Sequence, residues 1–187
     1  MLNTKFLVYT ALMTAIIAVM GFIPAIPLPF IPVPIVLQNV GIFLAGILLG
    51  RRYGTLSVIV FLLLVFMGAP LLSGGRGGYG VFVGPSVGFL IMYPIAAFLI
   101  GWMRDKYFET LDFKRTFAII VIFGVVLLDL VGAIVMGFVI HMPLSKAIYL
   151  SLTFLPGDLV KAAIASLIAI ALFNNPVVSR IMQQLAK

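Results

Sequence analysis

The stretch RTFAIIVIFGVVLLDLVGAIVMGFVI, residues 115–140, decides the fold class: between Thr116 and Ile140 it carries one charge, Asp129. A helix crosses the hydrocarbon core of a bilayer in roughly 20 residues, so this run is long enough and apolar enough to span. The whole chain agrees with it. Of 187 residues, 64% are hydrophobic and 9% charged, whereas soluble domains are about half apolar and a quarter charged. The composition is that of an all-α integral membrane protein. With no cysteine in the chain, disulfides, thiol redox chemistry and thiolate metal sites are excluded.

Working outward from 115–140, five further stretches qualify or nearly qualify as spans: 5–24, 35–50, 53–69, 81–103 and 156–174. Six transmembrane helices in one domain, 1–187, are therefore expected. The basic, apolar start is read as a retained first span rather than a signal peptide, because no polar mature region comes after it. Between the first two spans, PAIPLPFIPVP (24–34) has five prolines, which forbids a helix interior and favours extended chain. Residues 142–155 predict a short helix separate from the last span, since Pro156-Gly157 puts proline in the opening turn of a new helix.

The loop charges orient the chain. An even number of spans places both termini on one side, with Lys5, Arg51, Arg52, Arg104, Lys106, Lys114, Arg115, Arg180 and Lys187; the opposite side has only Arg76 and Lys146. Cytoplasmic loops carry the excess of Lys and Arg, so the termini are expected in the cytoplasm and the protein in the cytoplasmic membrane. The same asymmetry accounts for the net charge of +7 without a nucleic-acid partner.

Small residues mark close helix contacts. Gly41, Ala45, Gly46 and Gly50 in the second span are read as packing within the bundle. Ala11-x-x-x-Ala15 in the first suits either the bundle or another subunit.

Polar chemistry is concentrated in a few places. LPGDLVKAAIASL (155–167) places Asp158 and Lys161 three residues apart, hence on one helix face. A helix cap with an intrahelical ion pair would explain them structurally. Desolvation makes such a pair a poor source of stability, however, so a polar ligand is the better explanation. GGRGG brackets Arg76 in a loop that is otherwise uncharged (68–89), where glycines let backbone N–H groups approach a ligand. Gly75, Tyr79 and Ser86 of that loop, Tyr149, and Gln38 and Asn39 at the head of the second span complete the candidate ligand-binding set. Of Gln38 and Asn39, one is expected to meet ligand and the other a neighbouring helix. Phe30, Val33, Phe82 and Phe89 are candidate apolar walls. Arg76, Lys161 and Asp158 sum to +1, which suits a small, largely apolar monoacid; if Asp129 faces the same cavity, the sum is zero.

GPSVG (84–88) matches the serine-hydrolase G-x-S-x-G, but that motif needs a preceding strand and a histidine base, and the single histidine is His141. No enzymatic activity is expected. There is no G-x-x-x-x-G-K-[ST] loop to hold a nucleotide, and no metal-ligand cluster or cofactor is expected.

Three stretches taken together, PVPIVLQNVGIFLAGILLG (32–50), GAPLLSGGRGGYGVFVGPSVGFL (68–90) and FLPGDLVKA (154–162), resemble the BioY family. These are biotin-binding S components of energy-coupling factor (ECF) vitamin transporters. The resemblance covers nearly the whole chain. It implies high-affinity capture of biotin and its delivery to a transmembrane T component with two cytoplasmic ATPases, which consume the ATP. It further implies that Ala11 and Ala15 contact the T component and that Asp158 and Lys161 bind the ligand. Some relatives have asparagine at the position of Arg76 and an arginine after the G-P-S segment, where this chain has Phe89-Leu90-Ile91; the carboxylate contact is thus expected at Arg76. The rival expectations are an S component for another vitamin, a stand-alone facilitator or secondary transporter coupling ions through Asp129 and Asp158, and an intramembrane enzyme using Ser86.

Overall fold

The computed structural model describes residues 4–186; Lys187, one of the nine cations on the cytoplasmic side, lies outside the described residues. The first helix, α1 (Thr4–Met20), leads into the proline-rich segment, which is extended as its composition predicts. Strands β1 (Ile26–Leu28) and β2 (Ile31–Ile35) pair antiparallel, with Leu28 opposite Ile31. After them come α2 (Asn39–Phe66), α3 (Val87–Tyr107), α4 (Phe113–Ile120), a π-helical turn (Val121–Val126), α5 (Leu127–Val139), α6 (Leu144–Ser151), α7 (Leu155–Phe173) and α8 (Pro176–Ala186). Helix α4, the π turn and α5 form one continuous run, Phe113–Val139. It contains the apolar stretch that decided the class. The short α6 is separate from α7, whose first turn holds Pro156.

The six passes are distributed less evenly than hydropathy suggests. Only α2, α3, the Phe113–Val139 run and α7 have the length and apolarity to cross a membrane, among the described residues. The second and third expected spans are both within α2, with no loop between them. At Gly50 the backbone turns to φ 74°, ψ −176°, left-handed space that glycine enters without steric cost, and the helix reverses on itself. Gly54 then lies so close to the first arm that a Cβ there would sit 2.2 Å from the Ala45 carbonyl oxygen. In a straight helix those residues would be about 13 Å apart.

The first arm is only about 16 Å long by helix geometry, short of the ~30 Å hydrocarbon core. It tolerates this because every residue from 38 to 50 is buried by its neighbours. Gly41 rests on Ile17 of α1, and Gly46 on Ala97 and Ile100 of α3. The small residues of this segment thus pack the bundle, as expected.

Breaking a helix frees backbone groups at both new ends. Arg104, fully buried at the end of α3, donates through Nη2 to the Leu48 carbonyl (3.2 Å) and to the Met182 carbonyl of α8, while Nη1 meets Asp105 at 2.8 Å. Its guanidinium also lies 4.6 Å from the Phe108 ring centroid. Asp105 in turn accepts from the Arg51 backbone N–H (3.1 Å), the first residue after the reversal. The Arg104–Asp105 pair therefore closes both ends of the break and ties α8 onto it.

These contacts gather the charges. Arg51 and Arg52 at the reversal stand with Arg104 and Lys106 at one end of the bundle. Phe6 packs its ring on Tyr53, 5.2 Å between centroids, so the start of α1 is at the same end. Arg115 reaches the Thr110 carbonyl there as well. Arg76 and Lys146 belong to the opposite end, where the glycine loop, the β-hairpin and α6 meet. Ala11 and Ala15 face outward from α1.

Candidate ligand cavity

At that opposite end the loops close over a narrow cavity of about 40 Å³. Six segments of chain contribute. The end of β2 and the link to α2 supply Val33 to Val36, the head of α2 supplies Gln38 and Asn39, and the glycine loop supplies Leu72, Ser73 and Arg76. The start of α3 adds Ser86, Phe89, Leu90 and Tyr93, α5 adds Asp129, and the α6–α7 junction adds Phe154, Asp158 and Lys161.

The glycine loop is a tight turn rather than a flexible strap. Leu72 and Arg76 exchange backbone hydrogen bonds of 3.0 and 3.2 Å, leaving three residues to reverse the chain. Gly74 and Gly75 do so at φ 82° and 69°. The turn presents Arg76, whose Nε donates to the Ser73 carbonyl (3.2 Å) and whose Nη1 points to Ser86 Oγ (3.5 Å). No carboxylate among the described residues pairs with Arg76 in a salt bridge. A half-buried guanidinium oriented by neutral oxygens keeps its charge available to an anion.

Asp158 and Lys161 are buried, 3% and 5% exposed, and joined to each other through Oδ1 and Nζ. The capping alternative does not describe the carboxylate. The N-cap of α7 is Phe154, without a side-chain bond, and the Asp158 backbone N–H is already bonded to the Phe154 carbonyl at 2.9 Å. Phe154, Asp158 and Lys161 fall at i, i+4 and i+7 on one face of the chain entering α7. Phe154 also meets Phe89 edge-on, 6.0 Å between ring centroids, forming an aromatic wall beside the ion pair.

Gln38 and Asn39 divide their roles. The Gln38 amide nitrogen donates to the carbonyls of Ile17 (2.9 Å) and Leu71 (2.8 Å), pinning α1 and the glycine loop to the head of α2. Asn39 accepts from the Tyr93 hydroxyl through Oδ1 at 2.9 Å, which leaves its amide N–H groups at the cavity wall. Three candidates stand apart. Gly75 turns the backbone but does not line the cavity. Tyr79 is exposed and packs edge-on against Phe66. Tyr149, on α6, is 73% exposed. Of the apolar candidates, Val33 and Phe89 line the cavity, Phe30 is exposed at the hairpin tip, and Phe82 packs on Phe66.

Tyr93 and Ser73 line the cavity, and the sequence reading misses both. Tyr93 had a readable signal: Ser86, Phe89, Leu90 and Tyr93 have the i, i+3, i+4, i+7 spacing of one helix face. Ser73 had none. Asp129 faces the same cavity, so its four charged groups sum to zero if all are ionised. No histidine lines it, and His141 is exposed, so Ser86 has no base. Among the described residues no cluster of three His, Cys, Asp or Glu side chains could hold a metal ion.

The BioY family model matches residues 1–176. A probable biotin transporter BioY of Bacillus subtilis is 46% identical over 170 residues, 91% of each chain. A biotin transporter BioY of Lactococcus lactis is 46% identical over 168 residues, 89% of each chain. A crystal structure of the S-component for biotin from an ECF-type ABC transporter superposes with a TM-score of 0.89 at 43% identity, covering 94% of this chain and 95% of that one.

Proposed function

The chain belongs to the BioY family, and from that premise we propose that it binds biotin as the S component of an ECF-type transporter and carries it into the cell. It is a membrane transport subunit and not an enzyme. The observation that supports the ligand most directly is the cavity itself. An unpaired arginine stands at its loop side, a buried Asp–Lys pair lines it, and aliphatic and aromatic walls make up the rest. Biotin is a monoacid with an apolar body and a ureido head bearing two N–H donors and one carbonyl, so each kind of lining has a counterpart in the ligand.

In this reading Arg76 receives the valerate carboxylate, and Asp158 accepts from ureido N–H. Lys161 donates to the ureido oxygen while neutralising Asp158. Asn39, held by Tyr93, offers amide N–H groups. Hydrogen bonds to charged partners contribute about 1.5–3 kcal/mol each, and two or three of them with apolar burial are sufficient for tight binding. The β-hairpin and the glycine turn close the entrance.

The cation-rich end faces the cytoplasm by the positive-inside rule, which opens the cavity to the outside. A T component and two cytoplasmic ATPases complete the transporter. The outward-facing Ala11 and Ala15 supply the flat surface on which a helix of the T component packs. No cofactor is bound by this chain; ATP is used by the partner subunits.

Calorimetric titration of the purified protein with biotin, and with other vitamins as controls, tests the reading. Tight one-to-one binding of biotin alone supports it. Well-folded protein that ignores biotin, or prefers another vitamin, refutes it.

A further inference from the structure

The ligand cavity takes one residue, Asp129, from the long run Phe113–Val139, and none from its π turn at Val121–Val126. Two residues of that turn line a different feature, a groove of about 430 Å³ at the cation-rich end. Ala118, Ile119, Ile122 and Phe123 form one side of it, Met103 and Tyr107 at the end of α3 form the other, and Arg115 stands at its head. A π turn spreads the helix and re-aims the side chains within it, and such turns concentrate at functional sites. Ile122 and Tyr107 are both exposed, so the groove is open to whatever surrounds the bundle.

Its chemistry changes from end to end. From Arg115 to Phe123 the helix rises about 12 Å, so the groove starts beside the loop between α3 and α4 and runs into the apolar span. At the mouth, Arg115 Nη1 donates to the Thr110 carbonyl at 3.1 Å, and Lys106 Nζ lies 5.3 Å from the Tyr107 ring centroid. The acids of this end are engaged elsewhere. Asp112 caps α4 by accepting from the Arg115 backbone N–H at 2.8 Å, Asp105 pairs with Arg104, and Glu109 lines a neighbouring cleft. Neither Arg115 nor Lys106 forms an ion pair among the described residues.

Two unpaired cations and an aromatic ring at the water-facing end of an apolar channel match the build of one amphiphile. Basic pockets between helices on the cytoplasmic side attract anionic lipid headgroups, and tyrosine rings settle at headgroup level. A partner helix lying here would have to bring acids of its own to meet the cations. The face offered to the T component is also elsewhere: Ala11 and Ala15 are on α1, which packs on α2, whereas the groove lies between α3 and α4.

We propose that this groove binds one anionic phospholipid of the cytoplasmic leaflet, with Arg115 and Lys106 on its phosphate and an acyl chain along Ile119, Ile122 and Phe123. The site is independent of the ligand cavity and of what that cavity binds.

The test is native mass spectrometry of the delipidated protein in neutral detergent, supplied with equal amounts of phosphatidylglycerol and phosphatidylcholine. Wild type is expected to retain a single phosphatidylglycerol in preference to phosphatidylcholine by ~5- to 30-fold, the value of two cations at a membrane surface. In Arg115→Gln/Lys106→Gln the two lipids should be retained within about 2-fold of each other, on the same scale. Ala118→Trp, which fills the groove and keeps every charge, should lose the retained lipid, and it serves if the charge variant does not fold. Equal retention of the two lipids by wild type overturns the inference, as does a preference that survives Ala118→Trp. Displacement of the lipid by an excess of inorganic phosphate would reveal a free-anion site and overturn it too. So would an Ala118→Trp variant that keeps the lipid but no longer copurifies with a coexpressed T component, since the groove would then belong to a protein partner.

Discussion

Replacing Lys161 by methionine leaves Asp158 in a wall where it is 3% exposed, beside Asp129, with the ammonium that pairs with it removed. Breaking a buried ion pair from one side costs about 3–5 kcal/mol, because the remaining charge is uncompensated. Little solvent screening relieves it here, since Lys161 itself is 5% exposed. By the scaling for soluble chains of 150–250 residues, ~2–4 °C per kcal/mol, Tm should fall by about 6–20 °C. The double variant Asp158→Asn/Lys161→Met removes both charges. Stability should then return to within ~1–2 kcal/mol of wild type, since a neutral pair of similar volume is tolerated where a single charge is not. Biotin binding should not return, and a loss of more than ~100-fold, about 2.7 kcal/mol, is expected in the double variant. Thermal unfolding monitored by the fluorescence of Trp102, the single tryptophan, reads the first quantity, and calorimetric titration reads the second. The reasoning is refuted if the double variant binds biotin as wild type does. It is equally refuted if Lys161→Met is as stable as wild type.

The geometry leads to two further outcomes. Arg76→Gln should weaken biotin by ~10- to 100-fold yet leave the affinity for biotin amide, which has no carboxylate, nearly unchanged; equal losses for the two ligands would remove Arg76 from the carboxylate. Arg104→Met should free α8 from the Gly50 reversal, because Arg104 donates to both the Leu48 and Met182 carbonyls. Trypsin cleavage after Arg180 should then quicken at least several-fold under native conditions, and an unchanged cleavage rate would mean that α8 is held by other contacts.

The same two arginines show how far local pattern reaches. Arg104 and Arg76 are both single letters in basic or glycine-rich surroundings. Positive-inside counting treats Arg104 as one more surface cation, yet it is fully buried and closes a broken helix. What makes it structural is the left-handed backbone at Gly50, fifty-four positions earlier in the chain. Arg76 was conspicuous because it opposes the charge bias, and it does line the cavity. Similarly, Gln38 and Asn39 are adjacent polar letters of the same kind. Only the carbonyls of Ile17 and Leu71, brought together by the packing of α1 against α2, assign Gln38 to the scaffold.

The sequence by itself determined the membrane class, the all-helical bundle, the extended proline segment, the break before Pro156 and the shared face of Asp158 and Lys161. Each of these depends on hydropathy summed along the chain, on charge counts in loops, or on the backbone limits of one residue type, and none needs a distant partner. Tertiary structure alone decided that α2 folds on itself without a loop, that Asp129 faces the cavity, and that Gly75, Tyr79 and Tyr149 do not line it. The physical reason is the solvent. In water a helix advertises its inner face by amphipathic period. In a bilayer, lipid-facing and protein-facing sides are both apolar, so hydropathy carries no period that tells which helix face turns inward.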